Sequence, residues 1–158
     1  MTIAPNASRF EPLSPAQAAR WRGFPERFDR PRFPNFLGLV LEEARTDYAR
    51  MRLPFRAELT QPAGMLHGGA LASLIDTVVV PAIGSAYEQR HVLLTLDMHV
   101  AYLDAIAGED AIAEGWVEKR GRTIVYCRVE VRSASGTLAS TASLVYKVSS
   151  KLLPSPGA

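Results

Sequence analysis

Between Ala70 and Tyr87 the chain runs through residues that are almost all apolar, and Asp76 is the only charge among them. A helix that is apolar on every side has to be covered on every side. One long sheet curled around it meets that demand within a single small domain. The Asp adds a second demand, because an ionised carboxylate in an apolar helix costs several kcal/mol unless it is paired or hydrogen-bonded. Either the charge has a use, or neighbouring hydroxyls such as Ser73 and Thr77 satisfy a purely structural Asp. A membrane span is the poorer reading. Asp76 near its centre would cost about 2.5 to 3.5 kcal/mol on insertion, and Pro81 and Gly84 weaken the helix further.

The stretch opens on Gly64-Met65-Leu66-His67-Gly68-Gly69, a turn-and-cap pattern in which glycine lets the backbone fold tightly and approach a ligand closely. The first N–H groups of the following helix lack intrahelical partners, and the macrodipole adds partial positive charge there. Such an end suits an anion, including the oxyanion formed when a carbonyl is attacked. Asp76 lies eight residues past Gly68, which at helical rise is about 12 Å along the axis. An Asp side chain does not span that gap. If Asp76 works with donors at a Gly68 end, the donors belong to another subunit, and the site is a composite of a dimer.

With 158 residues the chain is long enough for one domain with a proper core. The formal charge of +2 is small and the basic residues are scattered, which argues against a nucleic-acid partner. Cys127 is the only cysteine, so no intrachain disulfide forms and a reducing cytoplasm is the expected compartment. The opening residues Met1 to Asn6 lack the basic-then-apolar pattern of a signal peptide.

Three segments are expected. Residues 1–36 form an arm rich in Pro, Arg and Phe, with Ser14-Pro15-Ala16-Gln17 starting a short helix through about Trp21. Phe24, Phe28, Phe33 and Phe36 either pack this arm on the domain or cover a pocket, or the arm is a loosely attached leader. Residues 37–150 form the main domain and residues 151–158 a frayed tail. Within the domain, Leu37 to Glu43 and Tyr48 to Leu59 read as strands around a turn at Ala44 to Asp47. After the central helix, period-two alternation marks strands at Leu93–Val100, Asp110–Lys119, Thr123–Arg132 and Thr137–Lys147. The turns between the last three are Arg120-Gly121-Arg122 and Ser133 to Gly136. The order is thus two strands, one long apolar helix and then a four-strand antiparallel meander, and the fold class is α+β, an antiparallel sheet wrapped around a long central helix.

These residues resemble a known family, the hotdog-fold acyl-CoA thioesterases of the phenylacetic-acid-degradation (PaaI-like) type. The resemblance rests on Gly64 followed by His67-Gly68-Gly69, on Asp76 at the family's spacing, and on the strand Thr95 to Leu103 with its Asp97-Met98 run. Gly108-Glu109-Asp110, Lys119 to Thr123 and Gly136 to Ala139 follow in family order. It covers residues 37 to 148 and leaves out the proline-rich arm.

The resemblance implies a hotdog fold and hydrolysis of an acyl-CoA thioester. The Gly68 N–H would polarise the thioester carbonyl, and Asp76 of the opposite subunit would act as nucleophile or as general base toward water. Thr95 stands where the family has Ser or Thr near that water. Gln61 stands where many members have Asn, a departure of one methylene, with Pro62 fixing the backbone beside it. His67 is either a titrating acid or, as the family's turn suggests, a group that orients the loop. Gly69, Arg90, Arg120 and Arg122 are candidates for holding the substrate, since Arg suits the phosphates of coenzyme A. Exposed hairpin arginines without a ligand are the plain alternative. A thiolate, with a pKa of about 8.5 by analogy with Cys, leaves without a strong acid. One carboxylate and an oxyanion hole therefore suffice, with no metal or organic cofactor. His91, Asp97 and His99 make no metal set.

Two other functions compete: a hotdog dehydratase or hydratase, which pairs a His with an acidic residue, and a non-catalytic acyl-CoA binder. A homodimer or a dimer of dimers is the expected assembly, associating through the sheet.

Overall fold

The computed structural model describes residues 6–25 and 31–153. Phe28 and the tail residues 154–158 lie outside them. Six strands form one antiparallel sheet in the order β1-β2-β4-β5-β6-β3: β1 (Val40–Arg45), β2 (Tyr48–Leu53), β3 (His91–Tyr102), β4 (Ala111–Arg120), β5 (Ile124–Ser133) and β6 (Leu138–Leu152). The long helix α3 (Gly68–Gly84) lies against β2 and β4 and also touches β1, β3 and β5. This is the α+β hotdog arrangement. Leu74, Ile75, Val78, Val79, Ala82 and Ile83 of α3 are fully buried against it. Gly115 on β4 lets the helix come this close, because a Cβ there would stand 2.9 Å from the Val78 side chain and 3.2 Å from Val79. No helix among the described residues is long and apolar enough to cross a membrane.

The sheet does not cover the helix on every side. Ala72, Ser73, Asp76, Val80 and Gly84 remain half-buried, forming one open stripe along α3 at helical spacing. This corrects the expectation of a helix enclosed all round. Beside the stripe runs β3, which among the described residues is an edge strand bonded to β6 alone. It carries exposed apolar side chains, with Leu94 at 47% and Leu96 at 55% exposure.

Several boundaries differ from the sequence expectation. Phe33–Leu37 is a short helix, α2, closed by Gly38 in the left-handed region (φ 72°), so β1 begins at Val40 rather than Leu37. β2 ends at Leu53 because Pro54 has no N–H to continue the ladder, and Ala57–Leu59 makes one 3-10 turn instead. β6 continues to Leu152, paired with His91, and the Leu153 N–H donates to the Arg90 carbonyl at 2.7 Å. Residues 151–153 are therefore held by β3, not frayed.

The arm helix α1 (Pro15–Trp21) is capped as its sequence suggests: the Ser14 hydroxyl accepts from the Gln17 N–H, and the Gln17 side chain accepts from the Ser14 N–H. Trp21 and Phe24 are buried in the core, whereas Phe33 and Phe36 are exposed at 60% and 72%. Farther up the arm, Asn6 donates its amide to the buried Glu114 (3.2 Å), which also accepts from the Tyr48 hydroxyl (2.6 Å).

Candidate active site

Asp76 sits midway along the open stripe of α3. Its Oδ1 accepts from the Thr95 hydroxyl at 2.9 Å and from the Tyr146 hydroxyl at 2.5 Å. The Tyr146 hydroxyl also stands 2.8 Å from the Asp76 carbonyl, so its single proton is shared between two acceptors. Thr95 and Tyr146 are partners across the β3–β6 ladder. Opposed residues in a sheet present their side chains to the same face. One rung therefore aims two hydroxyls at one carboxylate oxygen. Among the described residues no donor meets Oδ2. One oxygen is held and the other is open.

The two hydroxyls named from sequence do something else. Ser73 donates back to the Gly69 carbonyl (2.8 Å) and Thr77 to the Ser73 carbonyl (2.7 Å). A Ser or Thr inside a helix readily bonds the carbonyl one turn earlier. The reading in which they satisfy Asp76 is therefore wrong, and Tyr146 is the partner that sequence reasoning missed. A signal for it existed: β6 alternates, with Leu144, Tyr146 and Val148 all on the buried side. A buried phenol needs an acceptor. Burial, together with the charge and hydrogen bond of Asp76, pushes the Tyr146 phenol above its ordinary value. It stays a proton donor across any working pH.

At the other end of the open stripe, His67 caps α3 in extended geometry, its Nδ1 accepting from the Gly69 N–H at 2.8 Å. That hydrogen bond occupies the Gly69 N–H and the Nδ1 of His67. The Gly68 N–H meets no acceptor among the described residues. Its carbonyl accepts from the Tyr102 hydroxyl (2.8 Å), and a Cβ on Gly68 would stand 3.3 Å from that ring. Aromatic contact thus fixes the end of the helix while leaving its first N–H unused.

The remaining candidates are not gathered here. Gln61 closes its own loop: its Oε1 accepts from the Ala63 N–H at 2.8 Å, and its N–H donates to the Met65 carbonyl at 2.8 Å. Arg120 ion-pairs with Asp47 and donates to the Tyr87 hydroxyl (2.9 Å) and to the Ile83 carbonyl (3.1 Å) in the last turn of α3. Although burial works against its charge, the hydrogen bond and charge of Asp47 hold it above the ordinary value. Its guanidinium fastens the C-terminal end of the helix. Arg122 is exposed in the β4–β5 hairpin, and Arg90 is half-buried at a cavity beside the arm. Asp97 and His99 are exposed on β3, and His91 Nδ1 lies 2.8 Å from the Ser149 carbonyl. Among the described residues no three potential metal ligands cluster.

Comparison with known proteins matches residues 63–140 to the family model described as Thioesterase superfamily. A Halobacterium salinarum protein carrying an esterase name is 33% identical over 108 residues, spanning 65% of this chain and 71% of that one. Acyl-coenzyme A thioesterase 13 of Homo sapiens is 32% identical over 83 residues, 51% of this chain and 59% of its own. Among solved structures, the E. coli PaaI protein from the phenylacetic acid degradation operon superposes with a TM-score of 0.70 at 17% identity. That match covers 77% of this chain and 86% of PaaI, and it bears on the fold alone.

Proposed function

Because the chain belongs to the thioesterase superfamily and is a thioester hydrolase, we propose that it hydrolyses acyl-CoA at a site shared between two subunits. One supplies Asp76, the other the Gly68 N–H. The observation that carries this reading is the asymmetric carboxylate, with Oδ1 held by Thr95 and Tyr146 and Oδ2 open.

In the general-base form, Oδ2 takes a proton from water, and the water oxygen bonds to the thioester carbonyl carbon. The negative charge that develops on the carbonyl oxygen is received by the N–H at the start of the partner's α3. The C–S bond then breaks, and coenzyme A leaves as its thiolate. In the nucleophilic form Oδ2 itself bonds to the carbonyl carbon and the resulting anhydride is hydrolysed. Both forms need one open carboxylate oxygen.

The shared site is supported by the separation of Gly68 and Asp76 along one helix, about 12 Å at helical rise. The open stripe of α3 and the apolar edge strand β3 lie side by side and give a second copy a surface to cover. A dehydratase would pair its carboxylate with an imidazole. Here the donors on Asp76 are hydroxyls, and His67 is committed to Gly69.

The test is complementation. Gly68→Pro removes the N–H while keeping the helix start, since proline suits the first helical position and His67 before it is already extended (ψ 136°). Asp76→Asn removes the reacting carboxylate. Each variant alone is expected to lose about a hundredfold or more of its activity on acyl-CoA. A refolded equal mixture is expected to recover about a quarter of wild-type activity, because half the dimers then carry one intact site of two. No recovery in mixed dimers would refute the shared site.

A further inference from the structure

The open stripe of α3 continues past Asp76 into a small apolar cavity of about 90 Å³. Its lining includes Val80 and Gly84 from α3, Leu93 from β3, Tyr87, and Trp21 and Phe24 from the arm. Two of these adjoin the reacting pair directly. Val80 is one helical turn beyond Asp76, and Leu93 is two residues before Thr95, on the same face of β3. The lining thus starts one helical turn beyond Asp76 and reaches Gly84 along the helix.

At Gly84 it stops. The Trp21 indole is seated on that glycine so closely that a Cβ would stand 2.4 Å from its nearest carbon. Trp21 is 8% exposed and braced edge-on by Phe24, with ring centroids 5.5 Å apart. This wall is thus built by the arm, which lies outside the matched residues 63–140.

We propose that this cavity receives the acyl tail of the thioester and that Trp21 is its end wall, the residue that sets acyl length. The assignment rests on Asp76 being the reacting carboxylate. From Asp76 to Gly84 the helix advances about 12 Å, so a straight chain of moderate length meets the indole. The volume is well below the roughly 150 Å³ that holds a benzene ring in a protein interior. The favoured tail is therefore a narrow alkyl chain rather than an arylacyl group.

The experiment is a chain-length profile with straight-chain acyl-CoAs from acetyl to dodecanoyl, plus phenylacetyl-CoA, read as free thiol. In the wild type, kcat/KM is expected to climb about fourfold per methylene, the equivalent of about 0.8 kcal/mol per buried CH₂, and then to break. In Trp21→Ala and Trp21→Leu the break moves to longer chains. Those chains, and phenylacetyl-CoA, gain about tenfold or more relative to butyryl-CoA, the scale on which a pocket discriminates one methylene. Leu keeps an apolar cover over the core should Ala loosen the arm, and thermal unfolding reports whether each variant is folded. A break at unchanged length in a folded variant refutes the end wall. The same acyl-CoAs titrated by calorimetry into Asp76→Asn, with and without Trp21→Leu, separate the two readings. If the wild type hydrolyses none of them but binding still breaks at a length set by Trp21, the hydrolytic reading fails and the end wall stands.

Discussion

Replacing Tyr146 by Phe removes one oxygen from the site and leaves everything else in place. Tyr146 is 2% exposed, its ring is part of the core, and its hydroxyl bonds Asp76 through both Oδ1 and the backbone carbonyl. A hydrogen bond to a charged acceptor is worth about 1.5–3 kcal/mol. Withdrawn entirely from the transition state, that amount would slow the reaction roughly ten- to a hundredfold. Thr95 still holds Oδ1 at 2.9 Å, so the lower end, about tenfold in kcat, is expected, with KM little changed because Tyr146 sits behind the carboxylate. Tyr146 is thus a positioning residue, acting through Asp76. The assay is thiol release from acyl-CoA by wild type, Tyr146→Phe, Asp76→Asn and the double variant. The phenol should matter only while a carboxylate is there to be positioned, so the double variant should be no slower than Asp76→Asn alone. Two results would refute the reasoning: unchanged kcat in Tyr146→Phe, or a full further loss in the Asn background.

Asp76→Asn should lower kcat at least about a hundredfold, the scale for a positioned base, while circular dichroism shows an unchanged fold and a melting temperature equal to or above wild type. Burial pushes the Cys127 thiol up to about 12, so it is neutral in the fold while the unfolded chain releases its proton from about pH 8.5 upward. Stability measured by denaturant should therefore fall as pH rises from there toward about 10, a slope that Cys127→Val removes; above it the raised phenols of Tyr48 and Tyr146 add their own, and the native thiol should resist thiol reagents. Tyr48→Phe leaves Glu114 with Asn6 alone and should cost about 1.5–3 kcal/mol of stability without changing kcat. Gln61→Ala, Gln61→Asn and wild type should show similar kcat, because the Gln61 amide oxygen serves its own loop; a selective loss of kcat in Ala would return Gln61 to the reacting centre.

What could be read without coordinates was whatever depends on short-range pattern. The apolar run after His67-Gly68-Gly69 does form α3, and the period-two stretches after it do form β3 to β6, but not one meander: β4, β5 and β6 follow as hairpins while β3 pairs with β6 rather than β4. The Ser14 cap is a local hydrogen-bond motif and appears as written. Boundaries were misread where a single residue outweighs a run: Gly38 ends a helix inside what reads as strand, and Pro54 ends β2 six residues early. The extension of β6 to Leu152 depends on its partner, since its last residue pairs with His91, far away in sequence.

The site divides along the same line. Cap, helix-start N–H and carboxylate lie within one continuous segment, residues 67–76, so spacing alone relates them. Tyr146 is 70 residues from Asp76 and meets it only because β6 pairs with β3 in the register that sets Tyr146 opposite Thr95. A one-residue slip of that ladder would turn the phenol to the other face. The bulge between Thr95 and Asp97 sits directly beside this rung, and bulges commonly re-aim side chains next to active sites. Arg120 shows the converse. Its chemistry suits a phosphate, and only the placement of Asp47, Tyr87 and Ile83 around it reveals a structural fastener. A residue's type limits what it can bind, and the register of distant strands decides which of those partners it meets.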